Sequence, residues 1–322
     1  MSLAVVFPGQ GSQQVGMGKA LAEAFPECRA VFELADAVLG FQLGRLCFEG
    51  PEEQIRLTAN TQPAILATSI AAWRALGATG VRPDWVAGHS LGEYSALVAA
   101  GALDLADALV AVRRRGEYMQ NAAPAGEGAM AAILALDLPA IERICLQAAD
   151  GQVVAPANFN APGQVVIAGH AAAVSRAMAL CRSAGARNAV SLPVSAPFHC
   201  ALMRPAQERL EADLRALGFR DPRPPLIRNV DARAARDAEA CREGLIRQVS
   251  APVLWQQSVE ALVREGVDTF IEVGPGTVLS GLIRKIARGA RVLAVADPAT
   301  LDMTRAALEA GRDGCSAQGE TA

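Results

Sequence analysis

Asp84-Trp85-Val86-Ala87-Gly88-His89-Ser90-Leu91-Gly92-Glu93-Tyr94 is the stretch on which the reading of this chain turns. An apolar run suited to a buried strand ends at Gly88, and 91–100 (LGEYSALVAA) suits a helix leaving the turn. The core of the stretch is G-x-S-x-G. A sharp strand-to-helix elbow asks for glycine on either side of the serine, because a Cβ would obstruct close backbone approach or a strained φ. The Ser90 hydroxyl is thereby pushed out of the sheet. At a helix N-terminus it also meets the positive end of the macrodipole and unpaired N–H groups, which favour an alkoxide or a tetrahedral oxyanion. Ser90 is the candidate nucleophile. A lone G-x-S-x-G in a glycine-rich chain can equally be an ordinary turn, and the flanking strand and helix separate the two readings.

Upstream, 3–7 (LAVVF) reads as a buried first strand that stops at the loop PGQGSQ, 8–13. Its spacing fits neither G-x-G-x-x-G nor a P-loop with its lysine, so a phosphate cradle and a loop offering an N–H to an oxyanion both stay open. Residues 51–57 suggest a polar helical turn or two. Thr61-Gln62-Pro63 predicts a helix start, with Gly77 as its stop and an apolar body packed on the sheet. Downstream, Asp104 predicts the cap of a helix over 105–121, with Leu105, Ala108, Val112, Gly116 and Met119 on one face. Arg113 and Arg114 fall on a solvated face. Arg115 lies at the edge of the apolar stripe, where a guanidinium needs an anion: a structural carboxylate, or a substrate carboxylate held bidentately.

From Gly128 the pattern changes to strand 129–136, helix 139–149, strands 152–158 and 164–169, helix 171–184 and strand 188–193. That order is β-α-β-β-α-β, the split βαβ of ferredoxin-like domains, with 158–163 as the turn between the middle strands. The fold predicted is α/β: a large α/β-hydrolase-like domain with a central parallel sheet (1–126 and 197–310), an inserted ferredoxin-like small domain (127–196), and a disordered tail over 311–322. After the insert come a helical surface segment over 210–217, a turn over 221–225 and a charged surface stretch over 231–243. A strand over 269–273 and a helix bearing Arg284, Lys285 and Arg288 on or near one face follow.

A nucleophilic serine needs a base within hydrogen-bond reach. The chain has three histidines. His89 would project away from its neighbour Ser90, and His170 opens a surface helix. His199 is left as the base. The bulk composition agrees with a globular enzyme: 322 residues, 52% hydrophobic but only 4% aromatic, so packing rests on Ala, Val, Leu and Ile. A net charge of −3 argues against a general nucleic-acid binder. Seven cysteines without a C-x-x-C pair suggest reduced thiols and a cytoplasmic protein with no metal site. The N-terminus has no basic n-region, and no stretch is long enough to span a bilayer.

Seven motifs now stand in order. PGQGSQ (8–13), GHSLGEY (88–94), RGEYMQ (115–120), NFNAPGQVVIAG (158–169), PFHCALM (197–203), QVSAPVLW (248–255) and EVGPG (272–276) together resemble the malonyl-CoA:acyl carrier protein transacylases, over residues 3 to about 296. The resemblance implies a ping-pong acyl transfer. Ser90 would attack the malonyl thioester, His199 would take its proton, and a main-chain carbonyl at Gln248 would orient the histidine in place of an acid. It implies an oxyanion hole from the N–H groups of Gln10 and Leu91, which would settle the glycine loop's role. It implies that Arg115 pairs with the malonyl carboxylate, with Met119, Asn160 and Phe198 also at the substrate. The partners would be coenzyme A thioesters and a small acidic acyl carrier protein, met by Arg187, Arg284, Lys285 and Arg288. No cofactor is expected. Leu91 and Phe198 occupy positions where methylmalonyl-accepting relatives often carry Gln and Ser, which points to malonyl.

Three other readings compete. A serine esterase would need a histidine near the C-terminus, and none follows His199. The acyltransferase of a malonate decarboxylase or polyketide system would share the same residues. An idle carrier-docking module would have no use for Ser90, His199 and Arg115 together.

Overall fold

The computed structural model describes residues 2–124, 126–194 and 196–316; for 311–316 only the backbone is described. The elements run in order β1 (Leu3–Phe7), α1 (Lys19–Ala24), α2 (Pro26–Leu39), α3 (Leu43–Glu49), α4 (Glu52–Ile55), α5 (Thr58–Ala78), β2 (Trp85–Gly88), α6 (Gly92–Ala99) and α7 (Leu105–Gln120). A second group follows: β3 (Gly128–Leu134), α8 (Leu138–Ala149), β4 (Val154–Ala161), β5 (Gln164–His170), α9 (Ala171–Ser183) and β6 (Asn188–Ser191). The chain closes with α10 (Arg204–Arg215), β7 (Leu226–Ile227), β8 (Ala234–Ala235), α11 (Ala238–Gln248), α12 (Trp255–Arg264), β9 (Thr269–Val273), α13 (Val278–Ile286), β10 (Arg291–Val295) and α14 (Pro298–Ser316).

The central sheet has the order β10-β9-β1-β2-β7-β8, parallel throughout except for β8. Its inner strands are buried along their whole length, as parallel strands covered on both faces must be. Helix α5 supplies one cover: fifteen of its residues are buried, Ala64 to Ala67 among them. Trp255, Val259 and Leu262 of α12 line the other side, with Leu279 and Ile283 of α13. The fold is thus mixed α/β around a central, mostly parallel sheet. In such sheets ligands gather outside the carboxyl ends of the strands, where Gln10, Ser90 and Asn229 follow β1, β2 and β7.

The second group forms the expected β-α-β-β-α-β unit, an antiparallel sheet of order β4-β5-β3-β6. One face packs on its own helices through Ile133, Ile141, Ile167 and Val174. The other face lends Met130, Ala157, Val166 and Ala168 to the main core. The unit is also pinned at its edge: Phe159 N–H donates to Val253 O and Val253 N–H to Ala157 O, both at 2.9 Å.

Several boundaries differ from the sequence reading. Helix α5 starts at Thr58, so Pro63 lies inside it. Losing one amide donor is tolerated there because Thr61 Oγ1 ties back to Ile55 O and Leu57 O, and Gly116 lets α7 press on the turn before the proline. The residues 158–161 belong to strand β4, leaving Pro162-Gly163 as the turn. The charged surface stretch 231–243 instead runs into amphipathic helix α11, whose Cys241 and Leu245 are buried. Of the expected tail, 311–316 continue α14 and 317–322 lie outside the described residues. Helices α1 to α3 and the short strands β7 and β8, with the strand β10, were not anticipated. No helix among the described residues is long and apolar enough to cross a membrane.

Candidate active site

Ser90 sits between β2 and α6 at φ 52°, the left-handed region that L-residues avoid. The glycines beside it serve packing. A Cβ on Gly88 would stand 1.9 Å from the Gly92 carbonyl carbon, and one on Gly92 would stand 2.0 Å from Phe7 O. Strain therefore falls on the serine itself, which a functional turn can store only if its surroundings hold it. Asn229 does so. Its Oδ1 accepts the Ser90 N–H at 2.7 Å and its Nδ2 donates to Gly88 O at 2.7 Å, spanning the elbow.

Ser90 Oγ lies 2.7 Å from His199 Nε2. His199 Nδ1 lies 2.9 Å from the Gln248 carbonyl, which can only accept, so the proton sits on Nδ1 and Nε2 is the acceptor for the serine O–H. His199 also holds a left-handed φ of 60°. Burial first, and then the Arg115 charge, push its pKa down to about 3. The ring is a neutral base at neutral pH.

Arg115 is 1% exposed. Its Nη1 donates to Gln62 Oε1 at 2.8 Å, and its Nη2 to Gln248 Oε1 at 2.9 Å and to Ser90 Oγ at 3.1 Å. All three acceptors are neutral, and Nε has no partner among the described residues. Burial depresses the guanidinium's pKa, while Tyr94 and Glu93 act the other way. Arg113 and Arg114 instead pair with Glu117 and Asp213 on the outer face.

These groups open on a cavity of about 440 Å³ lined by Gln10, Gln62, Ser90, Leu91, Arg115, Met119, Asn158, Phe198 and His199, with Glu52 and Arg56 among its further walls. The backbone N–H groups of Gln10 and Leu91 donate to no acceptor among the described residues, which leaves both available to an oxyanion. Met119 Sδ accepts weakly from Gln62 Nε2 at 3.9 Å. Asn160 is not in the cavity wall. Its Oδ1 lies 2.9 Å from His89 Nε2; His89 itself lines the cavity with Ser90, and so does Asn158, two residues before Asn160. Residues two apart on a regular strand share a face, and the register shift between Phe159 and Ala161 breaks that alternation at Asn160.

Arg187, Arg284, Lys285 and Arg288 are exposed and lie outside the cavity lining. Lys285 Nζ donates to Gln164 Oε1 at 3.0 Å, and Arg187 precedes Asn188, which pairs with Leu134, itself the partner of Gln164. Lys285 and Arg187 thus lie at one end of the small sheet, while Arg284 Nη2 donates to Val292 O of β10 at 3.4 Å. Three residues at the site were missed in the sequence: Gln62, Asn229 and Glu93. Asn229 carried a readable signal, an asparagine two residues past the apolar pair Leu226-Ile227. Among the described residues no cluster of three or more His, Cys, Asp or Glu side chains could hold a metal.

Residues 4–307 match the family model of the acyl transferase domain. The malonyl CoA-acyl carrier protein transacylase of Salmonella typhimurium is 49% identical over 299 residues, covering 92% of this chain and 97% of that one. A solved acyl carrier protein S-malonyltransferase from Vibrio cholerae superposes with a TM-score of 0.92 at 49% identity, covering 94% of this chain and all of that one. A malonyl-transacylase solved in complex with its type II PKS acyl-carrier protein has a TM-score of 0.92 at 48% identity, covering 94% of this chain and 98% of that one. With the strained serine, its histidine and the buried arginine on one cavity, and with this likeness along almost its whole length, the chain belongs to the malonyl CoA-acyl carrier protein transacylase family of acyl transferases.

Proposed function

We propose that this enzyme moves a malonyl group from malonyl-CoA to the phosphopantetheine thiol of an acyl carrier protein, through a malonyl ester on Ser90. One observation carries the substrate reading: a buried guanidinium with only neutral partners, 3.1 Å from the nucleophilic oxygen. A cation held this way calls for an anion from outside, and a malonyl carboxylate meets it when the thioester carbon meets Ser90. An acetyl group would leave that charge unpaired, at a cost of about 3 kcal/mol or more.

In the first half-reaction the Ser90 Oγ–H donates its proton to His199 Nε2 as the Oγ–C bond forms. The resulting oxyanion takes the free N–H groups of Gln10 and Leu91. Collapse breaks the C–S bond, and the departing CoA sulfur receives the proton from His199. The second half runs the same steps backwards with the carrier's thiol as nucleophile. The Gln248 carbonyl keeps the histidine in the tautomer this requires. The thioester supplies its own leaving group, so the scheme asks for no cofactor. Met119 and Phe198 wall the acyl group, and the Phe198 ring leaves little room for a branch at the α-carbon. Asn160 acts from behind, through His89.

Residues 1–126 with 197–310 form the catalytic body in this reading, and 127–196 the inserted small domain. Arg187, Arg284, Lys285 and Arg288 are the surface that would steer an acidic carrier. The six described cysteines are all free and buried, which suits the reducing cytoplasm. The likeness to a transacylase solved with a polyketide-type carrier keeps a polyketide supply role as the second reading. Intact-protein mass spectrometry after mixing with malonyl-CoA or acetyl-CoA tests the proposal. A malonyl adduct on the wild type that Ser90→Ala lacks, with little acetyl adduct, is expected; equal acetyl loading would overturn it.

A further inference from the structure

We propose that Glu93 keeps the hold of Arg115 on the malonyl carboxylate weak enough to reverse, by placing a second anion one carboxamide away from the same guanidinium. The inference rests on the reading of Arg115 as the malonyl clamp. Glu93 lies on α6 three residues after the nucleophile and is fully buried. Its Oε2 accepts the Gln248 Nε2–H at 2.8 Å and the Asn229 N–H at 3.0 Å, and its Oε1 has no partner among the described residues. Gln248 Oε1 in turn accepts from Arg115 Nη2 at 2.9 Å. A line therefore runs from Glu93 through the Gln248 amide to Arg115 and into the cavity.

This placement solves one problem and creates another. A carboxylate touching Arg115 directly would cover the edge that the substrate needs. Set back by one amide, it still compensates the buried cation, and the amide between them is polarised by both ends. Once a malonyl group enters, however, one buried cation serves two anions. Like charges that share a desolvated site disfavour joint ionisation, so an ionised Glu93 weakens malonyl binding and a protonated one does not.

Burial raises the Glu93 pKa to about 7, against the pull of the Asn229 and Gln248 hydrogen bonds. The other groups facing it are the Arg228–Asp231 ion pair from the loop between β7 and β8, Cys241 on α11, Tyr94 beside it on α6, and Arg115 on α7. Cys241 is pushed up to about 12 and the Tyr94 phenol is raised as well, while His199 is held at about 3. None of these three changes charge near neutrality. Acyl exchange itself takes up no net proton: the Ser90 Oγ–C bond replaces the C–S bond, and the serine proton leaves on the thiol. A proton gained on malonyl loading near neutral pH is therefore the proton on Glu93.

The test uses malonyl-pantetheine, which has no titrating phosphate. For the wild type its KM should rise about tenfold from about pH 6 to about pH 8. For Glu93→Gln, which keeps the shape and an acceptor oxygen, KM should be flat across that range and lower than wild type at the alkaline end. Acetyl-pantetheine should show no such pH dependence with either enzyme. Parallel malonyl profiles for the two enzymes would overturn the proposal. So would an equal fall in kcat for both acyl donors at every pH, which is the mark of a merely structural glutamate. Should Glu93→Gln fail to fold, the wild type still decides. Saturating malonyl-pantetheine in weakly buffered indicator solution near neutrality should draw a substantial fraction of a proton per active site, and zero uptake would sink the idea. An Arg115→Ala enzyme that still prefers malonyl to acetyl would instead refute the clamp, whatever Glu93 does.

Discussion

Two strand-turn-helix units flank β1 in the central sheet, β2-α6 on one side and β9-α13 on the other, and they use their helix N-termini in opposite ways. At α13 the strand supplies the anion itself. Glu272, buried in β9, accepts the N–H groups of Leu279 at 3.0 Å and Ser280 at 2.6 Å, so the positive end of the helix is already occupied. At α6 the strand supplies no anion, and the Leu91 N–H is left for a visitor. The same local architecture is a closed structural joint in one place and, in the proposed mechanism, an open oxyanion site in the other. What separates them is whether the chain spends an internal carboxylate on the helix end.

That contrast can be broken from either side. The largest effect belongs to the open unit. Ser90→Ala should lose on the order of 10⁴-fold or more in malonyl transfer, with melting behaviour close to wild type, as read by stopped transfer assays and calorimetry. Arg115→Ala should cost malonyl loading about a hundredfold while acetyl loading holds or improves, shown by comparing adduct formation with the two thioesters. The closed unit should answer in stability instead. Glu272→Ala strands two buried N–H groups and should lower unfolding free energy by roughly 2–4 kcal/mol in urea titration, with transfer per folded enzyme preserved. A Glu272 variant that folds normally but cannot load malonyl would mean the two units are not separable.

The histidine sharpens the comparison through pH. Its folded pKa near 3 lies below the ordinary value of 6.5, so the fold favours the neutral ring. The unfolded chain gains a proton there first, and that part of the stability is present above about pH 6.5 and lost as pH falls toward 3. Transfer from acetyl- or malonyl-pantetheine should correspondingly show no loss of base between about pH 5 and pH 8, apart from the Glu93 effect on KM. An inflection in kcat near pH 6.5 would show that His199 is far better solvated than its burial implies. The smallest effect is at the carrier surface. Lys285→Glu with Arg288→Glu should slow transfer to the carrier several-fold and leave free pantetheine untouched; equal loss on both acceptors would remove the patch.

The elbow was legible because local chemistry dictates it: Gly88 and Gly92 are forced by contacts within a few residues and with β1. Arg115 was legible because its helical phase put a cation among apolar neighbours. Gln62, Asn229 and Glu93 were not, since a buried polar side chain is explained only by what it meets, and Asn229 meets Ser90 across 139 positions of chain. Helix α11 was hidden by its charged outer face, and β7 and β8 by being two residues long. Asn160 stands outside the cavity lining at a strand irregularity that no alternation pattern reveals.

The small sheet has a consequence for how the chain finds its fold. Ser90 and His199 are 109 positions apart, a long loop to close. Yet the insert leaves and re-enters through neighbouring strands: Ala131 pairs with Ser191, and Leu192 N–H donates to Met130 O at 2.9 Å. Once that unit has folded, the path between nucleophile and base shortens by some sixty residues, and the entropy of bringing them together is largely settled in advance. The insert acts as a knot tied in a string: a change of length inside it leaves Ser90 and His199 where they are.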